Sequence, residues 1–229
     1  VSNRMLSLQN QEIDAGITNN YTDVTQMKEQ GYSVMRSDPT GSAVRIVFNM
    51  EHDQLRDKHL RQAIAYALDR EYIAEKVLGG GDVPNGSAGV IPPDSPWYNE
   101  NVMSYEHDVR KANDLLDDLG YEKNSDGIRE ELNLNIIVSS NEDDAQLMQE
   151  MLKNIGINLN IQQLDPASFA TALGENQYDI ALTAHIGLSG DPDFLRLWFS
   201  GEVANEVAAR GRAFEHDRFH ELAKQQANT

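Results

Sequence analysis

An α/β fold is what the second half of this chain predicts, and two kinds of periodicity predict it. Leu132, Leu134, Ile136 and Val138 alternate as a strand, as do Ile157, Leu159 and Ile161, and Tyr178 to Ala184 is a further apolar strand. Between these runs the spacing turns helical. Ala145, Met148, Leu152 and Ile155 line one face of a helix that stops at Gly156, and Asp165-Pro166 opens a shorter helix bearing Phe169 and Leu173. Strand, helix, strand, helix, strand implies parallel strands joined by right-handed crossovers. Sheets of that kind bind ligands beyond the carboxyl ends of their strands. That directs attention to the segment after Ala184, His185-Ile186-Gly187-Leu188-Ser189-Gly190-Asp191-Pro192-Asp193.

The elements before that lobe are read in order. Met5, Leu6 and Leu8 predict a short helix, Ile13 to Ile17 a short strand, and Val24 to Glu29 a helix ending at Gly31. Tyr32 to Met35 alternates weakly, and Asp38-Pro39-Thr40-Gly41-Ser42 is a turn cluster, which makes residues 38–43 a candidate hinge. Val44 to Phe48 is strand-like. In D-K-H-L-R-Q-A-I-A-Y-A-L-D-R, Leu60, Ile64, Ala67 and Leu68 make an apolar helical stripe with Ala63 beside them. Asp69 can cap a second helix from Arg70 to Leu78, and Gly79-Gly80-Gly81 stops it, so a buried helix pair is expected. Residues 82–105, with Pro84, Pro92, Pro93 and Pro96, form a long aperiodic wrap in which Trp97-Tyr98 is expected to plug the core. Asp108 opens a helix carrying Val109, Ala112, Leu115, Leu116 and Leu119, ended by Gly120.

Composition narrows the partners. The 229 residues suffice for one large or two modest domains. A balance of 19 basic against 37 acidic residues, net −18, repels nucleic acid and anionic lipid, and suits solubility, a cationic ligand or a high-salt habitat. No apolar run approaches the roughly 20 residues of a membrane span, and the N-terminal V-S-N-R-M-L-S-L-Q-N-Q lacks the pattern of a secretion signal, so any signal is expected outside this chain. Without cysteine there are no disulfides, thiolate metal sites or cysteine nucleophiles.

Several motifs invite chemistry. Gly187-Leu188-Ser189-Gly190-Asp191 follows a strand like the nucleophile elbow G-x-S-x-G, but Asp191 replaces the closing glycine, and a turn is the better reading. His216 and His220 share a helical face at the spacing zinc proteases use, yet Asp217 stands where glutamate is needed, so a solvated face is expected. A hydrolase using Ser189 or the His216/His220 pair is the alternative these residues leave open. Asn124-Ser125-Asp126-Gly127 lacks the ligand run of a calcium loop and reads as a turn. Asp191 and Asp193 could hold a cation or ligand amine, and Asp193 could equally cap the helix Phe194 to Phe199. His185, at the end of the last strand, is either a backbone-bonded histidine or a ligand contact.

Taken together, the chain resembles extracytoplasmic solute-binding protein family 5, the large binding proteins of peptide and nickel ABC importers. The resemblance rests on Phe48-Asn49, Leu60 to Arg70, Val77 to Gly81, Ile91-Pro92-Pro93, Tyr105, Ala112 to Leu116, Gly120-Tyr121 and Asp126-Gly127. Leu152 to Ile157, Tyr178-Asp179, Asp191-Pro192-Asp193-Phe194-Leu195 and Asn10 to Asp14 continue it in the same order. It implies a periplasmic-binding-protein-like fold of type II, cluster C-like: residues 1–44 the end of lobe I with the hinge crossing, residues 45–229 most of lobe II. It implies a monomeric, extracytoplasmic capture subunit that is not an enzyme and has no cofactor, anchored through an N-terminus outside this chain. Its partners would be a small peptide or nickel-chelate ligand and ABC permease subunits, without nucleic acid or membrane insertion by this segment. The ligand site would comprise His185, Gly187, Leu188, Ser189, Asp191 and Asp193, with His185 as the metal contact. Peptide-binding members usually show G-W before D-P and an aspartate for the peptide amine; here Leu188 replaces the tryptophan and the segment is too short for that aspartate.

Overall fold

A computed structural model describes residues 3–18, 21–35, 43–78, 91, 95–140, 142–185, 194–199 and 216–226. The chain divides into two compact units, Val1–Pro39 with Glu71–Asn85, and Thr40–Arg70 with Gly86–Thr229.

The first unit holds α1 (Asn3–Gln9), α2 (Tyr21–Glu29) and most of a helix, Arg70–Leu78, that begins at the unit boundary. Met5 and Met27 are buried, as is Asp23. The strand expected at Ile13 to Ile17 is absent: those residues have no regular structure, and no described strand pairs with them. Gln11 leaves α1 at φ 59, and Ile17 is left 77 % exposed while its carbonyl accepts from Arg4 Nη1. Two isoleucines without a neighbouring strand have nothing to alternate against. Tyr32 to Met35 likewise forms no strand.

The second unit is built on a four-stranded sheet of β1 (Ala43–Phe48), β2 (Asn133–Val138), β3 (Asn158–Gln163) and β4 (Ile180–His185), in the order β1-β4-β2-β3. β2 runs parallel to both β3 and β4, as the alternation predicts, while β1 is antiparallel to β4. The helices are α3 (Lys58–Ala67), α4 (Arg70–Leu78, placed above), α5 (Val109–Asp118), α6 (Glu142–Asn154), α7 (Pro166–Gly174), α8 (Phe194–Phe199) and α9 (Asp217–Gln226). On one face Leu134, Ile136, Val138 and Leu159 are buried; α6 packs on β2 and β3 through Ala145, Met148 and Leu152, α3 on α6, and α5 on α3. On the other face Val47, Ile137 and Ala181 pack with Ala172 and Tyr178, flanked by Leu164, Phe169 and Leu173 of the α7 segment. Fully burying each such aliphatic side chain contributes about 1.5–3 kcal/mol. The rest of this second face is polar, with Asn158 and Asn160 donating to Asn133 Oδ1 at 2.8 Å each.

Helix ends follow the expected chemistry. Asp57, Asp108 and Asp165 cap α3, α5 and α7, accepting from His59, Lys111, and Ala167 with Ser168. Gly156, at φ +85, ends the turn after α6, where a Cβ would come within 2.8 Å of the Gly127 carbonyl oxygen, so only glycine fits. Beside it Arg129, 1 % exposed, ties three segments together. Its Nε donates to Ile155 O at 2.9 Å, its Nη1 to Asp117 Oδ1 at 2.6 Å and to Tyr121 O, and its Nη2 to Asn113 Oδ1 at 3.0 Å.

Two expectations fail in instructive ways. The buried helix pair is half right. α3 buries Leu60, Ala63, Ile64, Tyr66 and Ala67, but Ile73, Ala74 and Val77 of α4 are only half-buried and no described residue after Arg70 in α4 is buried. Leu68 adopts extended backbone between them, so α4 does not continue the α3 stripe and groups instead with the first unit. Trp97 is 61 % exposed and plugs nothing; Ser95 is the buried residue of that turn, its Oγ and carbonyl oxygen accepting from the Trp97 and Tyr98 amides.

Candidate functional site

The carboxyl ends of β2, β3 and β4 share one edge of the sheet, because the three strands run parallel. β1 enters from that same edge, its Ala43 paired with His185. β1 therefore begins at the sheet edge where β4 ends. Of the expected site residues, His185 is the last residue of β4. Gly187, Leu188, Ser189, Asp191 and Asp193 lie outside the described residues, as do Gly79-Gly80-Gly81 and most of the proline-rich wrap. The helix that Asp193 was expected to cap is present as α8.

Two residue pairs in from Ala43 and His185, Arg45 of β1 pairs with Thr183 of β4. Alternation puts both on the face that carries Val47 and Ala181, the α7 face. Arg45 is half-buried with its Nε and Nη2 atoms withdrawn from solvent. Thr183 is 7 % exposed, and its hydroxyl is buried with no hydrogen-bond partner among the described residues. A buried, unpaired hydroxyl costs about 1–3 kcal/mol. Sequence reasoning passed over both residues, although an arginine inside V-R-I-V-F, a cation in an otherwise apolar strand, was a visible signal.

At the same edge, Asp165 follows β3. Hydrogen bonds from the Ser168 hydroxyl and amide, and to a lesser degree from the Ala167 amide, hold its carboxyl below the ordinary aspartate value, against an opposing effect of desolvation. That carboxylate is committed to capping α7. An open depression beside it is lined by Gln162, Leu164, Ser168, Thr171 and Gln177.

The opposite end of β4 is closed by hydrogen bonds. Asn49, 6 % exposed, donates from Nδ2 to Tyr178 O at 2.8 Å and to Asn176 O at 3.1 Å, and its amide donates to Asp179 O at 2.9 Å. Asp179 Oδ2 accepts from the amide and side chain of Asn135 at 2.8 and 2.9 Å, and His52 Nε2 lies 3.6 Å from Asp179 Oδ1. The Phe48-Asn49 and Tyr178-Asp179 signatures are thus two halves of one clasp. In the same way Gln62 Nε2 donates to the Tyr105 hydroxyl at 3.2 Å, Tyr66 stacks edge-on against Tyr105 at 5.2 Å, and the Asp108 amide donates to Tyr66 O. These motifs hold the fold.

The remaining chemical candidates resolve as structure. His216 Nδ1 accepts from the Phe219 amide at 3.3 Å, a capping role at the start of α9, and the His220 ring lies 5.9 Å from that of Phe219. No group of three or more potential metal-ligating side chains occurs among the described residues. Asn124 Oδ1 accepts from the amides of Asp126 and Ile128, so the Asn124 to Gly127 segment is a turn, as expected. No helix among the described residues is long and apolar enough to cross a membrane.

Comparison with known proteins agrees with this architecture. The chain is 26 % identical over 194 residues to the dipeptide-binding protein of Escherichia coli K12, covering 83 % of this chain and 35 % of that protein. Among solved structures, DppA from Helicobacter pylori in complex with the peptide STSA matches with a TM-score of 0.80 at 23 % identity, covering 99 % of this chain and 43 % of that one. NikZ from Campylobacter jejuni in complex with Ni(L-His) matches with a TM-score of 0.78 at 23 % identity, covering 98 % of this chain and 46 % of that one. At such identities the two structural matches show the fold. The chain spans about a third of the curated relative and less than half of these structures. The model of the bacterial extracellular solute-binding proteins, family 5 middle region, matches residues 1–206, and the chain belongs to that family.

Proposed function

We propose that the protein is the solute-capture component of an ABC importer, taking a small peptide or a nickel chelate outside the cytoplasm and presenting it to the permease subunits. It works by lobe closure on the solute as a monomer and is not an enzyme. In this reading residues 1–44 contribute the end of one lobe and the crossing, and residues 45–229 most of the other. The observation that carries it is the family match over residues 1–206 of a chain whose parallel strands deliver His185 to a sheet edge. His185, Gly187, Leu188, Ser189, Asp191 and Asp193 form the solute-contacting segment, with His185 able to ligate a nickel chelate whose remaining positions small organic ligands fill. Relatives in complex with a peptide and with Ni(L-His) support both ligand classes.

Calorimetry of the full-length protein with alanyl-alanine and with nickel plus free histidine tests the proposal. Saturable heat from either supports capture. Nickel–histidine binding lost in His185→Ala selects the metal class, and peptide binding untouched by that change selects the other. Ester or peptide turnover abolished by Ser189→Ala, without saturable solute binding, would replace capture with hydrolysis.

A further inference from the structure

We propose that the open sheet face beside α7 is a second binding site, built from residues other than the His185 segment, and that it takes an uncharged oligosaccharide. The site goes beyond the capture reading and does not depend on it. Its first part is a row of amides. Asn158, Asn160 and Gln162 occupy every second position of β3, in register with Asn133, Asn135 and Ile137 of β2, and all but Ile137 are exposed. At about 3.3 Å per residue the β3 row is about 13 Å long. It leads into the depression along α7, a space of about 440 Å³ lined by Gln162, Leu164, Ser168, Thr171, Ala172 and Gln177. That volume lies within the range of small-molecule sites.

The protein has already committed donors of these side chains. Asn158 and Asn160 donate to Asn133 Oδ1, Ser168 Oγ to Asp165 Oδ2 at 2.6 Å, Thr171 Oγ1 to the Ala167 carbonyl at 3.0 Å, and Gln177 Nε2 to Glu175 Oε2 at 2.7 Å. What each retains for a ligand is chiefly an acceptor oxygen, oriented by the bond behind it. A matching ligand therefore brings many donors, and charge decides which kind. In a chain with 24 % charged residues, neither β2, β3 nor the lining of the depression contains one. The carboxylates next in sequence or space, Asp165, Glu175 and Asp179, accept from Ser168, Gln177 and Asn135. An anion meets no cation among the lining residues and a cation no carboxylate, so hydroxyl groups are the donors that fit. Leu164 and the buried Ala172 supply an apolar floor for the C–H face of a sugar ring. The length of the amide row suits several linked sugars better than one.

The test is trisaccharide binding by the full-length protein in about 1 M salt, where a screening length of about 3 Å removes general attraction to the negative surface. Calorimetry compares maltotriose and triacetylchitotriose, both neutral, with chitotriose, a cation, and trigalacturonate, an anion. A neutral sugar should bind saturably and at least about tenfold more tightly than either charged one, since an ion would be desolvated without a partner. That binding should be unchanged in His185→Ala and in the presence of alanyl-alanine or nickel with histidine. Gln162→Leu and Thr171→Val, at exposed positions, should each weaken it about threefold and together about tenfold. Gln162→Glu keeps an acceptor and should retain it. Retention of the protein on insoluble starch or chitin assigns the site to a polymer; binding of the free trisaccharide alone assigns it to a soluble sugar. Three results overturn the inference and leave capture standing: no saturable binding of either neutral sugar, charged sugars bound as tightly, or affinity unchanged in Gln162→Leu and Thr171→Val. Sugar binding lost in His185→Ala also overturns it, by moving the sugar to the His185 segment.

Discussion

The two ends of β4 are built by opposite rules. At its amino end, Asn49, Asp179, Asn135 and His52 form a clasp in which Asn49 and Asp179 each make several hydrogen bonds to described groups. At its carboxyl end, two residues before His185, the Thr183 hydroxyl is buried without such a partner next to a half-buried arginine. Satisfied polar groups hold a strand in register, whereas an unsatisfied one detracts from stability. One strand thus carries hydrogen-bonded polar groups at one end and a buried, unpaired hydroxyl near the other.

Substitutions can break that comparison. Asn49→Ala should have the largest effect, a loss of about 2–3 kcal/mol in urea unfolding, since it strips the buried Tyr178 and half-buried Asn176 carbonyls of a shared donor. A loss below about half a kcal/mol would show that the clasp is ornamental. Asp179→Ala should cost less, about 1–2 kcal/mol, because its side chain is 19 % exposed and water can replace part of what Asn135 loses. At the other end the sign should reverse: Thr183→Val, nearly isosteric, should raise stability by about 1 kcal/mol by removing the unpaired hydroxyl. Destabilisation there would mean that the hydroxyl is satisfied within the fold.

The smallest effect concerns pH. Because hydrogen bonding depresses the folded-state pKa of Asp165, its cap stabilises fully above the ordinary aspartate value, and that contribution fades as pH falls through the depressed folded value. Thermal unfolding of Asp165→Asn, which keeps a capping oxygen but does not titrate, should show a flatter acid limb than the wild type. An identical acid limb would remove Asp165 from the capping role. A solute-induced change in that limb would bring it into the ligand edge.

Legibility followed the range of each interaction. The parallel strands, the helix starts at Asp108 and Asp165, and the stop at Gly156 were readable because each is written within a few neighbouring residues. The strand expected at Ile13 to Ile17 failed because local alternation does not supply a pairing partner. The α3–α4 pair was over-read because apolar spacing continues past Leu68 while the backbone turns there. Trp97 was misjudged since a large aromatic in a loop says nothing about which way it faces. At the candidate ligand edge, His185 was placed by counting to the end of a strand. Arg45 was overlooked because its pairing depends on what lies across the sheet.

By itself, then, the amino-acid sequence determined most of the elements, the parallel run of β2, β3 and β4, and the family, since periodicity and short motifs are local properties of the chain. Only the tertiary structure decided that Phe48-Asn49 and Tyr178-Asp179 are one clasp, its Asn49–Tyr178 bond joining residues 129 positions apart, and that Arg45 meets Thr183. Register between distant strands is set by the packing of both sheet faces at once, and no stretch of sequence carries that information alone.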